Sequence, residues 1–121
     1  MRGRFARTSE FQERIAITPM KEPNECRSIE DVREAIDAID REIIVALGRR
    51  FEYVKAITRF KKTEEEVRAT GRYQAVLRAR REWAADEGID PDIVEQIYRL
   101  LIEYFIEEEM KELGLLESGQ T

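Results

Sequence analysis

Between Pro23 and Pro91 the chain contains no proline, and from Ile29 onward its apolar residues recur with a helical heptad period. Ile29, Ile36, Ile43 and Ile57 share one row, and Val32, Ile39 and Ala46 fill the row three residues later. Ser28-Ile29-Glu30-Asp31 opens the run with a residue suited to an N-cap and two acids where the helix dipole favours them. The pattern predicts one helix from Ser28 to about Lys62, roughly 50 Å at 1.5 Å per residue. A stripe that long cannot be buried on one short neighbour. A chain of 121 residues is about one domain and buries only about two-thirds of its unfolded surface, so a modest core, or one completed by a partner chain, is expected.

Lys62 to Gly71, KTEEEVRATG, is highly charged and has no apolar period, and it reads as a connector. A second helix is predicted from Arg72 to about Glu87, with Tyr73, Val76, Leu77, Ala79 or Arg80, and Trp83 at helical spacing and Gly88 as its stop. Asp90 then offers an N-cap with Pro91 at the first helical position. The third helix carries Ile93/Val94, Ile97, Leu100/Leu101 and Tyr104/Phe105 and should end near Leu113-Gly114. No segment shows the strand period. The fold class is all-α, a three-helix protomer with a long first helix, over a domain of residues 28–114. Residues 1–27 read as an N-terminal extension, disordered or flexible and basic, polar and aperiodic up to Pro19, and residues 115–121 as a tail.

Composition removes whole classes of chemistry. There is no histidine and a single cysteine, Cys26, so disulfides, Cys/His metal sites, Ser-His-Asp triads and Cys-His pairs are excluded within one chain. The formal charge of −5 gives no global attraction for nucleic acid or anionic lipid, and neither is expected as a partner. No run of about 18 apolar residues exists and the opening lacks a secretion-signal centre, so a cytoplasmic location is expected.

In so charged a chain, a charge is informative where it breaks an apolar row. Arg50 stands in the row of Ile29, Ile36, Ile43 and Ile57, where the period calls for an aliphatic residue. If the helix continues, Lys61 returns eleven residues later to nearly the same azimuth, giving a stripe Arg50, Val54, Ile57, Lys61 with cations at both ends. Two cations along an apolar wall suit a small ligand bearing anionic groups and a hydrophobic ring. The plainer reading is a solvated charge on a broad helix face. Arg33 lies about 25 Å before Arg50 on the same helix and can join such a site only from another protomer.

On the third helix, Glu109 continues the row of Ile97, Leu101 and Phe105 beside Ile102 and Ile106. Burial there would raise its pKa and keep part of it protonated, although a run such as Glu107-Glu108-Glu109 is usually a wet helical face, the plainer reading here. Arg72 fits either a site residue that closes with the connector or a surface arginine. Tyr53, Tyr73, Tyr98, Trp83 and Phe105 occupy core-like positions and are assigned to packing.

These residues resemble a family: the all-helical chorismate mutases, and among them the isochorismate-pyruvate lyases of salicylate and siderophore biosynthesis. The resemblance runs from about Met20 to Lys111, through MKEPNEC, DVREAIDAID around Arg33, ALGRR ending at Arg50, YVKAITRFK ending at Lys61 and REWAADEGID around Trp83. It implies an intertwined homodimer in which each active site takes one arginine from the opposite chain, and Arg33 matches that arginine. By the same resemblance Arg50 grips a substrate carboxylate, Lys61 contacts carboxylate and ether oxygen, and Arg72 lies near the loop covering the site. Glu109 departs from the pattern, since the family more commonly has glutamine near the ether oxygen, although some of its mutases use glutamate.

The implied chemistry is pericyclic and needs no nucleophile, metal or cofactor, so no cofactor is expected. Isochorismate would give salicylate and pyruvate with weaker chorismate mutase activity, Lys61 and Glu109 acting as catalytic residues and Arg33, Arg50, Lys61 and Arg72 as substrate-binding ones. The alternatives are a chorismate mutase giving prephenate and a non-catalytic helical dimer that binds an anionic metabolite or a partner helix. A scaffold has no need of Arg50 in an aliphatic row, so a leucine there would separate it from an enzyme.

Overall fold

The structure, a computed structural model, describes residues 21–115; the expectations for residues 1–20 and 116–121 lie outside the described residues. A 3₁₀ turn, Pro23–Glu25, precedes four helices: α1 (Ile29–Ile57), α2 (Glu64–Arg68), α3 (Thr70–Asp86) and α4 (Pro91–Glu112). There is no strand among the described residues, so the all-α expectation is met. Among the described residues the chain divides within α1 into two compact units, 21–52 and 53–115.

In the first unit, the start of α1 is fixed by local chemistry. Ser28 Oγ accepts from the Asp31 amide at 3.1 Å, and the Asp31 carboxylate accepts from the Arg27 amide at 2.9 Å and pairs with Lys21 at 3.0 Å. Those partners hold the Asp31 carboxyl below the usual carboxylate range, the Arg27 amide contributing most. Yet α1 has no buried residue along its length. Ile29, Val32, Ile36, Ile39, Ile43 and Ile44 are between 43% and 65% exposed, so the predicted heptad seam forms and faces solvent in a single chain.

The second unit has its own core. Helix α3 packs on α4 and buries Val76, Leu77 and Ala84 on one side and Phe105, Ile106 and Met110 on the other. Charge ties the same pair together. Arg81 of α3 donates to Asp92 at 2.9 Å and Glu95 at 2.7 Å of α4, and Glu95 also pairs with Arg99. Arg80 stacks its guanidinium over Trp83 at 4.5 Å and over Tyr98 of α4 at 5.4 Å. Gly88 (φ 76°) makes the turn between the helices, and Asp90 Oδ1 caps α4 at the Asp92 amide, 2.9 Å away, with Pro91 opening the helix as the sequence indicates.

Three expectations are corrected. The first helix ends at Ile57, not near Lys62: a 3₁₀ turn Thr58–Phe60 follows, and Lys61 is extended at φ −117°, ψ 141°. Thr58 turns its hydroxyl onto the Lys55 carbonyl, and the backbone tightens to the Lys61 amide donating to the Thr58 carbonyl at 3.2 Å. The connector is not featureless, since it contains α2. Thr63 and Glu66 form a capping box at its start, and Ala69, at φ 41°, is the single residue between α2 and α3, which begins at Thr70. Finally, Tyr53 and Trp83 are exposed in the single chain, while Phe105 is buried and Tyr73 packs against the core. The α4 stripe is also wider than one face: Ile93, Ile97, Leu100 and Tyr104 point outward while Phe105, Ile106 and Met110 point in.

Candidate active site

Lys61 and Glu109 are 48 residues apart in sequence and meet as an ion pair, Nζ to Oε1, at 3.2 Å. Their side chains are 17% and 8% exposed, which places two opposite charges in a largely dry position. The acid run of α4 is thereby resolved residue by residue. Glu107 is exposed, Glu108 pairs with Lys111 at 3.6 Å, and Glu109 is turned into the core between Phe105, Ile106 and Met110. Glu109 is the only buried charged or polar residue among the described residues.

What holds the pair is readable from the elements around it. Glu109 is carried by the last turns of α4, whose buried face also includes Ile106 and Met110. Val67 of α2, 3% exposed, packs against those two residues, with Tyr73, Ile102 and Leu113 at the margin of the cluster. Tyr73 Oη donates to Glu103 at 2.8 Å, and burial, followed by the Glu103 carboxylate, pushes the Tyr73 hydroxyl above its ordinary range. Glu109 thus stands on α4 between two residues, Ile106 and Met110, that form a small apolar cluster with Val67 of α2 and have Tyr73 of α3 at their margin.

Lys61 reaches Glu109 by a route different from the one its spacing suggested. The stripe Arg50, Val54, Ile57, Lys61 presupposed a continuous helix, and the helix stops four residues short of Lys61. The meeting is made instead by the 3₁₀ turn and the extended backbone that follow. Of the other predicted residues, Arg72 is exposed on the first turns of α3. Arg33 and Arg50 belong to the first unit; Arg33 is exposed, and Arg50 is half-buried with its Nη1 closed off from solvent.

A cleft of about 480 Å³ lies beside α4, lined by Arg68, Leu100, Glu103, Tyr104, Ile106, Glu107 and Met110. None of the predicted site residues lines it, and Glu103 and Glu107 give it the wrong sign for a dianion.

Residues 32–110 match the family model described as chorismate mutase type II. The chain belongs to the type II chorismate mutase family. Within that family it is similar to the isochorismate pyruvate lyase of Pseudomonas aeruginosa, at 45% identity over 92 residues that cover 76% of this chain and 91% of that protein. The match to the chorismate mutase family spans α1 from Val32 through Met110 of α4 and so includes both members of the buried pair.

Two residues next to the Lys61–Glu109 pair in the fold were not singled out from sequence: Glu66, which holds the backbone after Lys61, and Val67, which packs against Ile106 and Met110. The signal was present. Thr63-Glu64-Glu65-Glu66 is a capping-box sequence followed by an apolar residue, but one valine among so many charges produces no period.

Proposed function

We propose that this chain is an isochorismate pyruvate lyase that splits isochorismate into salicylate and pyruvate. The observation that carries the reading is the buried Lys61–Glu109 pair, standing in a chain 45% identical to a lyase of that name. A reaction that breaks an ether C–O bond in a flexible dianion makes two demands: hold a compact conformer, and stabilise charge on the departing oxygen. Lys61 meets the second demand as a cationic donor in a nearly dry place, where a charge counts for more than in water. Arg50 and Arg33 meet the first by gripping carboxylates through bidentate contacts, with Arg72 closing over the site. In the unliganded pair Glu109 occupies the Lys61 ammonium. Substrate binding displaces that contact, and the Glu109 side chain then stands beside the ether oxygen as a second hydrogen-bonding group.

The site is completed by a second copy of the chain. Arg33 sits about 25 Å along α1 from Arg50, too far for both to hold one small molecule from the same helix. The exposed seam of α1 and the outward stripe of α4 supply the apolar surface that such a homodimer requires. The family description itself favours a second reading, in which chorismate is rearranged to prephenate, because both reactions use a similarly folded conformer. A cytoplasmic location suits a small-molecule substrate of this kind.

The test is to incubate the purified protein separately with isochorismate and chorismate from about pH 5 to 8. Salicylate and pyruvate in equal amounts establish the lyase; prephenate without salicylate makes it a mutase. A glutamate donates a hydrogen bond only when protonated, whereas a glutamine donates at any ordinary pH. Glu109→Gln is therefore expected to keep or raise turnover on the favoured substrate; loss of turnover in the glutamine variant removes Glu109 from a donor role.

A further inference from the structure

Lys61 is the last residue before a short run of backbone held by a single carboxylate. Glu66 Oε1 accepts from the Lys62 amide at 2.6 Å and from the Thr63 amide at 3.2 Å. In return, Thr63 Oγ1 accepts from the Glu66 amide at 3.1 Å, and the Thr63 carbonyl accepts from the Val67 amide at 3.0 Å. On the other side, the Lys61 amide is tied to the Thr58 carbonyl. The backbone that launches the Lys61 side chain is thus fixed before and after the residue. One residue beyond Glu66, Val67 is locked against Ile106 and Met110, which flank Glu109 on α4.

We propose that Glu66 is a positioning residue for Lys61: by clamping the two amides that follow, it sets the direction from which the ammonium meets Glu109 and, in the active site, the substrate. The inference rests on the lyase reading of Lys61, and it concerns a residue that touches neither substrate nor Lys61's ammonium. A lysine has a long, rotatable stem, and its ammonium is useful to a transition state only where its backbone origin is fixed. An extended residue between two helical turns has no helical ladder to fix it. The Glu66 carboxylate substitutes for that ladder. Its acidity agrees, since the Lys62 amide first and the Thr63 amide second hold the carboxyl below its ordinary range, with Lys62 and Lys61 the nearby cations. An ionised acceptor grips both amides more firmly than a neutral one would.

A plain helix cap would make the same bonds, so the test separates capping from aiming. Glu66→Ala and Glu66→Gln are compared with the wild-type enzyme in kcat and KM on isochorismate, in thermal midpoint, and in amide hydrogen exchange at Lys62 and Thr63. Glu66 is exposed on a five-residue helix, so loss of its carboxylate leaves the α3–α4 core in place. Expected for Glu66→Ala is a fall in kcat of about tenfold with KM within about twofold, from misplacement of a transition-state contact. Faster exchange at both amides accompanies it. Glu66→Gln keeps an acceptor oxygen and recovers most of kcat and of the protection.

A kcat for Glu66→Ala within about twofold of wild type overturns the proposal, as does a Glu66→Gln enzyme as slow as the alanine variant despite protected amides. If the wild-type protein turns over neither isochorismate nor chorismate, the lyase reading fails by itself. The aiming claim is then decided by NMR of the Lys61 ammonium, whose shift should respond to Glu109→Gln in the wild-type background and not in Glu66→Ala. A response of equal size in both backgrounds overturns it.

Discussion

Helix α1 and the α3–α4 hairpin both set aliphatic side chains at helical spacing, yet every buried apolar residue among the described ones lies in the hairpin or in α2 leading into it. The difference is one of neighbours, not of pattern. Helices α3 and α4 are antiparallel, joined by a short turn at Gly88, and each finds its cover in the next element along the chain. The seam of α1 is about 44 Å long at 1.5 Å per residue and keeps its isoleucines in water in a lone chain. Periodicity specifies that a helix will have a face to bury; it does not say whose surface will cover that face. The sequence of α1 thus specifies an apolar face without specifying what covers it.

The sharpest way to break this contrast is to put charge on the α1 seam. Ile36→Asp with Ile43→Asp should abolish self-association and reduce turnover below detection, while the α3–α4 hairpin keeps its helicity. Sedimentation and far-ultraviolet dichroism read the two effects separately. A dimer that survives both aspartates would mean that α1 is covered by something other than its own copy.

The next effect separates chemistry from grip. Lys61→Ala is expected to lower kcat by about 10² to 10³, the cost of removing one donor aimed at developing charge. Arg50→Ala, on the α1 side of the contrast, should chiefly raise KM. Steady-state kinetics on the favoured substrate decide it, and full activity in the lysine variant removes Lys61 from the reaction.

The smallest effect tests the hairpin's own margin. Tyr73→Phe deletes the bond to Glu103 and should cost about 0.5 to 1 kcal/mol in denaturant unfolding. The Tyr73 hydroxyl has its pKa raised by burial and by Glu103. A raised pKa favours the neutral form in the fold, so this contribution is present below the ordinary tyrosine range and is lost as pH climbs through and above about 10. The wild type should lose stability faster than Tyr73→Phe across that interval, and parallel curves would show that the hydroxyl contributes nothing.

The start of α1, the end of α3 and the start of α4 were legible because they are set locally. Ser28, Gly88, Asp90 and Pro91 each act through their own backbone or the next few residues, and the structure uses all four as their chemistry dictates. The burial of Glu109 was legible for a related reason: a carboxylate in the row of Ile97, Leu101 and Phe105 is carried inward with its neighbours. Its pairing with Lys61 was named as two roles at one site, but the geometry came from elsewhere. A contact 48 residues apart depends on how the hairpin folds back, and the exit from α1 depends on the hydroxyl of Thr58 turning onto the helix. Neither leaves a period in the sequence. Helix α2 was hidden because its burial rests on one residue, Val67.

The single residue that joins α2 to α3 has an entropic consequence. A connector of ten residues that became ordered only on binding would lose about 1 to 2 kcal/mol per residue of backbone freedom at that moment, taken from the affinity for substrate. Here seven of those residues are already helical, five in α2 and two at the start of α3, α2 is capped, and Ala69 alone makes the corner in a left-handed conformation that alanine rarely adopts. Most of the ordering is completed when the chain folds. The strain at one alanine is thus accompanied by a connector that is largely ordered in the single chain.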